Sequence, residues 1–466
     1  MANEEHLKLA RQGKDAWNKW RVENSDEPAD FSGADFTLPE NKDISFAEFE
    51  FGNHANFEGA VFGDEANFNG ARFGYGARFG GMAFGDEANF NGATFGDCAD
   101  FKGTAFGAGA RFFDAMFRDE ADFSGAAFED EASFVRAVFW DETRFDGATF
   151  GHGASFNGAT FGYGASFDGA AFVGEADFSG AAFGAWASFQ SMTQDQIAEW
   201  RERTERSYSE ETKALLAVLR KDTDPEGFSE IDFTRAKFHG PVYFKGRVLR
   251  DLAIFAHARF AQPPDFASAK GQENLSLVGT QFRFGRGVFL WTTDPSVVTQ
   301  LRRLRGIAQN IHATDAERDL FILERMAERG VLWKNWWDGD WKSWLFGWWR
   351  PLAAMFLFSI YRASSNCGRS VVLPLGWLFV ANYGASFVYG SLVPKAPHEQ
   401  LWTLTLAGAL PFGEVNKTAL GKVAETLFEK GAIPPMVQAL AIGQGIVNAV
   451  LVFLLALALR NHFKVK

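Results

Sequence analysis

Phenylalanine recurs with an unbroken rhythm from Phe57 to Phe189. Successive positions are separated by five and six residues in strict alternation, as in Phe57, Phe62 and Phe68. A small residue, usually alanine, stands two places before most of them, and glycine commonly follows two places after. A helix repeats about every 3.6 residues and a strand about every two, so neither element explains this spacing. A short fixed period instead predicts a solenoid, in which equivalent side chains stack on their copies one coil away.

The spacing also predicts the geometry of the coils. Four units would make one square coil of about 22 residues, and coils stacked at roughly 4.8 Å would give about six coils and a rod near 30 Å. The six-residue steps place their extra residue at a corner, as in Phe62-Gly63-Asp64-Glu65-Ala66. Glycine can take the positive φ that a tight corner needs, and acidic side chains can face water there.

The repeat resembles that of the pentapeptide-repeat family, A(D/N)LxX, with phenylalanine in the central leucine position. Ala66-Asn67-Phe68, Ala121-Asp122-Phe123 and Ala176-Asp177-Phe178 are examples. The resemblance covers about residues 30–190. It implies a right-handed quadrilateral β-helix, and it does not imply a function.

The apolar pattern divides the first part of the chain into five segments. Residues 1–28 predict a capping helix, because the end coil of a solenoid exposes its core and unpaired strand edges; a membrane or partner helix is the alternative. The β-helix covers 29–190, and a charged helical insert covers 191–226. A weaker repeat predicts further β-helix coils over 227–290, and apolar residues at helical spacing predict a helical linker over 291–332.

Tryptophan dominates the next segment, 333–369. The tryptophans between 333 and 349 are Trp333, Trp336, Trp337, Trp341, Trp344, Trp348 and Trp349. Tryptophan at this density beside basic residues is typical of a membrane–water interface. The apolar run 345–361 is short and broken by Arg350-Pro351. This segment therefore predicts an amphipathic helix that lies in the interface.

Two long uncharged runs follow in the segment 370–466. Residues 370–393 and 433–459 each exceed the roughly 20 residues needed to cross the hydrocarbon of a bilayer. The two runs therefore predict an α-helical transmembrane domain with two spans. Basic residues such as Arg369 and Arg460 flank the outer ends of the pair, and the positive-inside rule then places both termini and the solenoid in the cytoplasm. The expected location is a bacterial inner (plasma) membrane, with a multi-pass topology and lipid contact.

The connection between these runs has the layout of a pore loop. A short apolar helix, 401–409, leads into Leu410-Pro411-Phe412-Gly413-Glu414, and a polar run then returns to the second span. A turn at membrane depth is tolerated only where protein or water satisfies its backbone. Rings of carbonyls and carboxylates from several subunits select ions in such pores.

Residues 409–414 resemble a degenerate form of the potassium-channel pore loop, T-V-G-Y-G-D. Phe412, Gly413 and Glu414 match the tyrosine, the glycine and the acid. Ala409 lacks the threonine hydroxyl, and Pro411 stands where the family has its first glycine, although its fixed φ forbids the left-handed conformation used there. This resemblance covers about 370–466 and implies cation conduction without strict potassium selectivity. The pore-loop residues that it implies are Thr405, Ala409, Leu410, Pro411, Phe412, Gly413 and Glu414.

Three amides mark the second predicted span. Gln444 and Asn448 stand four residues apart, on one helical face, and Gln438 lies nearby. Amides in hydrocarbon are costly unless they are paired or wet. They either line an inner pore or make hydrogen bonds between helices. Glu414 is likewise either a carboxylate at the pore mouth or a solvated surface acid.

Composition excludes several other classes of function. The 466 residues carry a formal charge of −12, which argues against non-specific nucleic-acid binding. The two cysteines, Cys98 and Cys367, form no metal, redox or disulfide motif. The glycine-rich strings belong to repeat corners, and neither the histidines nor any nucleophile has a catalytic partner at suitable spacing. We therefore expect no enzyme activity, no metal and no cofactor.

Two hypotheses of function follow. The first is a homo-oligomeric, tetrameric ion-channel-like protein, because the two spans of one subunit cannot enclose a pore; permeant ions and membrane lipid are then its partners. The second is a membrane-anchored scaffold, since some pentapeptide-repeat proteins imitate duplex DNA and bind topoisomerases. The acidic pairs that suit such imitation, or that simply keep the solenoid soluble, are Asp64-Glu65, Asp86-Glu87, Asp119-Glu120, Asp130-Glu131 and Asp141-Glu142.

Overall fold

The structure is a computed structural model of the chain in two compact units, Met1–Val331 and Leu332–Lys466. The residues that it describes are 2–193, 195–196, 198, 216–217, 227–284, 292–337, 372–392, 401–402, 405–406 and 435–464. Its α-helices are α1 (Glu4–Ala10), α2 (Lys14–Glu23), α3 (Pro295–Asn310), α4 (Thr314–Trp337), α5 (Val372–Leu392) and α6 (Pro435–Lys464).

The strands are short and follow the phenylalanine positions; a 3-10 helix, Gln272–Asn274, precedes β22. In chain order, β1 to β23 are Glu50–Gly52, Val61–Phe62, Arg72–Phe73, Ala83–Phe84, Thr94–Phe95, Ala105–Phe106, Met116–Phe117, Ala127–Phe128, Val138–Phe139, Thr149–Phe150, Ala154–Ser155, Thr160–Phe161, Ala165–Ser166, Ala171–Asp177, Ala182–Phe183, Ala187–Ser188, Gly227–Asp232, Lys237–Phe238, Val242–Tyr243, Val248–Ile254, Arg259–Phe260, Leu275–Ser276 and Gln281–Phe282.

Parallel pairing between successive coils confirms the predicted β-solenoid. Thr94 pairs with Arg72 in the coil before it and with Met116 in the coil after it, a step of 22 residues each time. The buried phenylalanines form four columns through the stack. Within one column the rings of Phe79 and Phe101 are 4.5 Å apart and 1° from parallel. Offset aromatic stacking of this kind adds to the burial of the rings, so the repeat builds its own core.

The corners contain residues with positive φ, but in the six-residue step the residue differs from the expected glycine. In Phe62-Gly63-Asp64-Glu65-Ala66 it is Glu65, at a φ of 60°, and Gly70, at 64°, belongs to a five-residue step. Gly96 has a different reason to be glycine, because a Cβ atom there would lie 2.5 Å from the carbonyl carbon of Gly74 in the preceding coil. The close stacking of coils thus selects glycine after phenylalanine at this corner.

The stack continues on both sides of residues 191–226. Phe183 pairs with Phe238, and Asp177 with Asp232, in the same parallel registers as elsewhere. Most of the insert lies outside the described residues; 195–196, 198 and 216–217 are helical. Leu216 is buried against Ala105 and Ala127, on the outer surface of the solenoid.

Arg247 fills the core where the chain rejoins the stack. Its side chain is 0% exposed and occupies the inward position that alanine takes in other coils, such as Ala170. Its guanidinium donates hydrogen bonds to the carbonyl oxygens of Phe189 (2.6 Å), Ala170 (2.9 Å) and Phe167 (2.9 Å). It also lies 4.5 Å from the ring centre of Phe228. The cation therefore supplies donors at the place where the regular coil is interrupted.

Helices cover both ends of the solenoid. At the N-terminal end the single predicted helix is two, because Gly13, at a φ of 87°, separates α1 from α2. Buried Trp17 of α2 stacks on Phe49 at 5.7 Å and donates to the carbonyl oxygen of Glu50 at 3.0 Å. At the other end Leu301 and Leu320, of α3 and α4, join the same apolar core.

The second unit contains the apolar helices α5 and α6. Residues Pro435–Ala456 of α6 form the one helix in the described part of the chain that is long and apolar enough to cross a membrane. The prediction of two spans is thus met by one such helix, and α5 is a 21-residue helix at the place of the other. The predicted interfacial helix falls largely on residues 338–371, outside the described part.

Candidate functional site

A cluster of uncharged polar side chains lies where α5 meets α6. Asn382 and Tyr389 belong to α5, Gln444 and Asn448 to α6, and Thr405 to the helical residues between them. Asn382 contacts Asn448, whereas Tyr389, farther along α5, contacts the earlier Gln444. This order of contacts is that of antiparallel helices. We call these five residues the amide cluster.

The Gln444 carboxamide joins all three elements. Its Nε2 donates to Oδ1 of Asn382 at 2.7 Å and to the carbonyl oxygen of Thr405 at 2.9 Å. Its Oε1 accepts from the Tyr389 hydroxyl at 3.1 Å. The side chain is 5% exposed, so these partners replace water. A buried amide costs free energy unless it is bonded in this way.

Asn382 and Asn448 form a reciprocal amide pair. Nδ2 of Asn448 donates to Oδ1 of Asn382 at 3.0 Å, and Nδ2 of Asn382 donates to Oδ1 of Asn448 at 3.2 Å. Asn382 Nδ2 also donates to the carbonyl oxygen of Leu378 at 2.6 Å. Because Asn382 Oδ1 accepts from both Asn448 and Gln444, the orientation of one amide determines that of the others.

The helical residues between α5 and α6 reach the middle of the helix pair. Gln444 is the tenth residue of α6, about 14 Å from its start at 1.5 Å per residue. The Trp402 ring lies 6.3 Å from that of Tyr383, which is about 14 Å from the end of α5. Leu401 and Thr405 are both buried. After α5 ends, the chain therefore turns back along it.

The structure brings together three of the predicted site residues, Thr405, Gln444 and Asn448. Gln438 is exposed on α6 and stands apart from them. The predicted residues Ala409, Leu410, Pro411, Phe412, Gly413 and Glu414 lie outside the described residues.

Sequence reasoning missed Asn382 and Tyr389. A signal was present, because Asn382 is the one amide in the first uncharged run, 370–393. An amide in each of two apolar helices predicts that they pair, since each is then the other's cheapest partner. Thr405 acts here through its carbonyl oxygen, while its hydroxyl donates to the carbonyl of Leu401 at 2.7 Å.

The amide cluster is suited to holding segments in register. Its members carry no charge, and the described bonds use both N–H groups of Gln444 and of Asn382. Among the residues described, no group of His, Cys, Asp and Glu could hold a metal ion. The cluster therefore offers fixed dipoles in a dry contact between helices.

The acidic pairs at the solenoid corners have a second structural function. Oδ1 of Asp64 accepts from the backbone N–H of Asp86 at 2.9 Å, and Oδ1 of Asp86 accepts from that of Ala108 at 2.9 Å. Asp130 bonds in the same way to His152 at 2.7 Å. The aspartate of each pair thus ties its corner to the next coil, while the glutamate beside it is exposed, and Glu87 pairs with Arg111 of the next coil.

Comparisons with known proteins agree with the repeat. The family model of pentapeptide repeats, in nine copies, matches residues 112–160. No curated protein and no solved structure matches the chain. Residues 112–160 lie in the middle of the stacked coils, and their spacing is that of the neighbouring coils. The solenoid of this chain is therefore built of pentapeptide repeats.

Proposed function

We propose that this chain is an oligomeric, channel-like membrane protein of a bacterial inner membrane, with its pentapeptide-repeat solenoid in the cytoplasm. In this proposal α5 and α6 cross the bilayer, and the connection between them re-enters it. Several subunits, four by the resemblance to pore-loop channels, would enclose a cation pathway, because two helices leave no room for one.

The observation that supports the proposal is the position of Thr405, which lies between α5 and α6 in the chain but packs beside α6 well inside that helix. The Thr405 carbonyl is bonded to Gln444 at 2.9 Å, about 14 Å along α6. A connection between two spanning helices would otherwise stay in water, where its backbone is satisfied at no cost. Backbone at membrane depth is tolerated where it is buried in protein or lines a water-filled cavity, as in re-entrant loops.

Glu414 is the residue that we propose at the pore mouth. It stands eight positions after 406, the last of the described helical residues between α5 and α6, and it ends the segment that resembles a filter. A ring of such carboxylates would attract cations. Pro411 in place of a filter glycine would make the pathway less selective than that of a potassium channel.

The test is ion flux through the purified protein in liposomes, with Glu414→Gln beside the wild type. We expect flux that depends on protein and a lower preference for cations in the variant. Glu425→Gln, an acid of the same connection outside the filter-like segment, is the matched control and should conduct as the wild type does. Absence of flux under stretch, calcium and pH challenge, with monomers in native mass spectrometry, would refute the proposal.

A membrane-anchored scaffold is the second candidate. The observation that favours it is the completeness of the solenoid, whose core is closed by α1 and α2 at one end and by α3 and α4 at the other. Such a solenoid offers its outer surface, and Glu65, Glu87 and Glu131 are exposed along one corner. Rigid repeat surfaces of this kind commonly bind partners.

Charge reversal would separate the scaffold from a merely soluble solenoid. Replacing Glu65, Glu87 and Glu131 by Lys leaves each structural aspartate in place. If the solenoid imitates DNA, the wild type should bind a purified type II topoisomerase and the triple variant should not. Reversal of Glu4, Glu23 and Glu58, exposed acids away from this corner, is the control. No binding by the wild type would contradict the imitation of DNA.

A further inference from the structure

The Gln444 carboxamide has a geometry that suits one task, which is to set the depth of the re-entrant segment. It is the described side chain that bonds α5, α6 and the residues between them at once, through Asn382, Tyr389 and the Thr405 carbonyl. We propose that Gln444 is the positioning residue of this segment, and that it fixes the depth of residues 401–406 relative to α6. This inference rests on the proposed function.

The amide of Gln444 has a single productive orientation. Both of its N–H groups meet acceptors, Asn382 Oδ1 at 2.7 Å and the Thr405 carbonyl at 2.9 Å. Its oxygen meets a donor, the Tyr389 hydroxyl. A rotated amide would set oxygen against two oxygens, and each of those contacts would be repulsive. The network therefore selects one position of the Thr405 backbone.

Asn382 is in turn held by its own hydrogen bonds, so the acceptor to which Gln444 donates has a fixed position. It gives one N–H to the Leu378 carbonyl at 2.6 Å and exchanges bonds with Asn448, which is 2% exposed. Asn448 lies one helical turn after Gln444 on the same face of α6. Two residues of α6 thus hold Asn382, and Gln444 transmits that position to the segment.

The bond to segment 405 is made by the backbone rather than by the side chain. Thr405 directs its hydroxyl to the Leu401 carbonyl at 2.7 Å, within its own helical turn. The carbonyl that Gln444 binds is therefore part of the main chain that continues toward Glu414. Loss of the Gln444 bond would free this carbonyl whatever side chain stands at position 405.

The experiment measures depth directly, so that it does not depend on conduction. Leu406 is exposed and adjacent to Thr405, and Leu406→Cys in a Cys98→Ser, Cys367→Ser background gives one site for a spin label. The accessibility of the label to oxygen and to a water-soluble nickel chelate reports its depth in liposomes. We compare the parent with Gln444→Leu, Gln444→Glu and Gln438→Leu.

The expected results differ between the variants. Gln444→Leu should raise exposure to the nickel chelate several-fold, because the Thr405 carbonyl loses its donor. Gln438→Leu, which removes an exposed amide from the same helix, should leave the label unchanged. Gln444→Glu should depend on pH, because its protonated carboxyl keeps one O–H donor and should stay near the parent, whereas the ionised carboxylate should resemble Gln444→Leu.

Three outcomes would overturn the positioning role. They are an unchanged label in Gln444→Leu, an equal shift in Gln438→Leu, and a Gln444→Glu response without pH dependence. The reversible pH response also separates positioning from misfolding, because a misfolded variant would not recover in acid. A depth shift in proteins that conduct no ions would uphold the positioning role and refute the pore.

Discussion

The solenoid and the pair α5–α6 differ in the side chains that they bury and expose, because the helix pair buries amides beside apolar residues such as Val437 and Ala441. In the solenoid the interior is apolar side chain, such as Phe123, and the backbone polar groups bond from coil to coil, as from Phe123 N–H to the Arg144 carbonyl at 2.7 Å. In the helix pair the contact contains Gln444 and Asn448, while Phe387 is 81% exposed. One region hides its hydrophobic residues, and the other displays them.

The difference teaches what gives each region its register. In water the solenoid gains free energy from burying rings, and its backbone ladder permits one alignment of coils. In a bilayer, where we propose that α5 and α6 lie, lipid tails are as apolar as leucine, so two apolar helices gain little from each other. Their alignment must come from packing and from polar pairs, which is where the amide cluster lies. The register of the solenoid is thus set by its repeated phenylalanines, and that of the helix pair by the few polar residues of the amide cluster.

The largest effect is expected from removing a ring of the solenoid core. Phe123 stacks between Phe101 at 4.7 Å and Phe145 at 4.8 Å. Phe123→Ala should lower the free energy of unfolding by about 3–5 kcal/mol, since it leaves a cavity that stacked coils cannot close. Chemical denaturation of the full chain, followed by far-ultraviolet circular dichroism, measures the loss. Phe113→Ala removes an exposed ring and should cost less than about 1 kcal/mol. Equal losses would show that the columns do not carry the stability.

The next effect concerns the one exception inside the solenoid. Arg247→Met keeps much of the side-chain volume but removes the guanidinium donor from the buried carbonyls of Phe189 and Ala170, and one of two donors from that of Phe167, so we expect a loss of about 2–4 kcal/mol. The measurement is the same denaturation, compared with Lys237→Met, an exposed cation in a neighbouring coil. If both variants unfold together at the wild-type midpoint, Arg247 is not needed where the chain rejoins the stack.

A smaller effect, which depends on pH, is expected from replacing the half-buried carboxyl of Asp146 in the middle of the solenoid. Burial raises the pKa of Asp146 from 3.8 to about 6, against the lowering effect of its bond from Ser166. A raised pKa means that the folded state disfavours the anion, so this group costs nothing below about pH 4 and costs stability as the pH rises toward 6 and above.

Asp146→Asn should therefore stabilise the chain by about 1–3 kcal/mol at pH 8 and by almost nothing at pH 4. Thermal unfolding at the two pH values checks this. Asp64→Asn, at an exposed corner with the same kind of bond to the next coil, is the matched control. A gain for Asp146→Asn that is equal at both pH values would contradict the expected cost of the anion.

The smallest effect is expected in the helix pair. A double-mutant cycle with Asn382→Ala and Asn448→Ala should give a coupling of about 0.6 kcal/mol and at most about 1.7 kcal/mol, the range found for hydrogen bonds between membrane helices. Unfolding in mixed detergent measures it. The pair Asn382→Ala and Gln438→Ala should show no coupling, because Gln438 lies outside the amide cluster. A coupling above 3 kcal/mol, on the order of a core truncation, would erase the contrast between the two regions.

The sequence was most informative where it repeats. One inward ring per unit was enough to predict the columns and the further coils after the insert, which the pairing of Phe183 with Phe238 confirms. It was weaker where a single residue decides the outcome. Gly13 divides the N-terminal helix in two, and no period announces it. Arg247 was visible only as an arginine in an alanine position.

The amide cluster shows why its site was half predicted. The spacing of Gln444 and Asn448 put them on one face of α6, but spacing within one helix does not name the partner on another. Asn382 and Tyr389 had to be placed by the antiparallel register of α5 against α6. For the same reason, the sequence could not show that Gln438 lies on the exposed face of α6 and not on the face that contacts α5.

The interruption after Ser191 has a consequence for how such proteins can grow. The two sides of the gap are tied directly, since Ser191 N–H bonds to the Lys245 carbonyl at 3.0 Å and the coils resume in register. The number of residues between Ser191 and Gly227 is therefore not fixed by the stacking of the coils. A foreign domain whose ends lie close together could be inserted at this position, by evolution or by design, without a change in the sequence of any coil. Arg247, which fills the core and bonds to the Phe189 carbonyl just before the insertion, would keep the core closed there for any inserted domain.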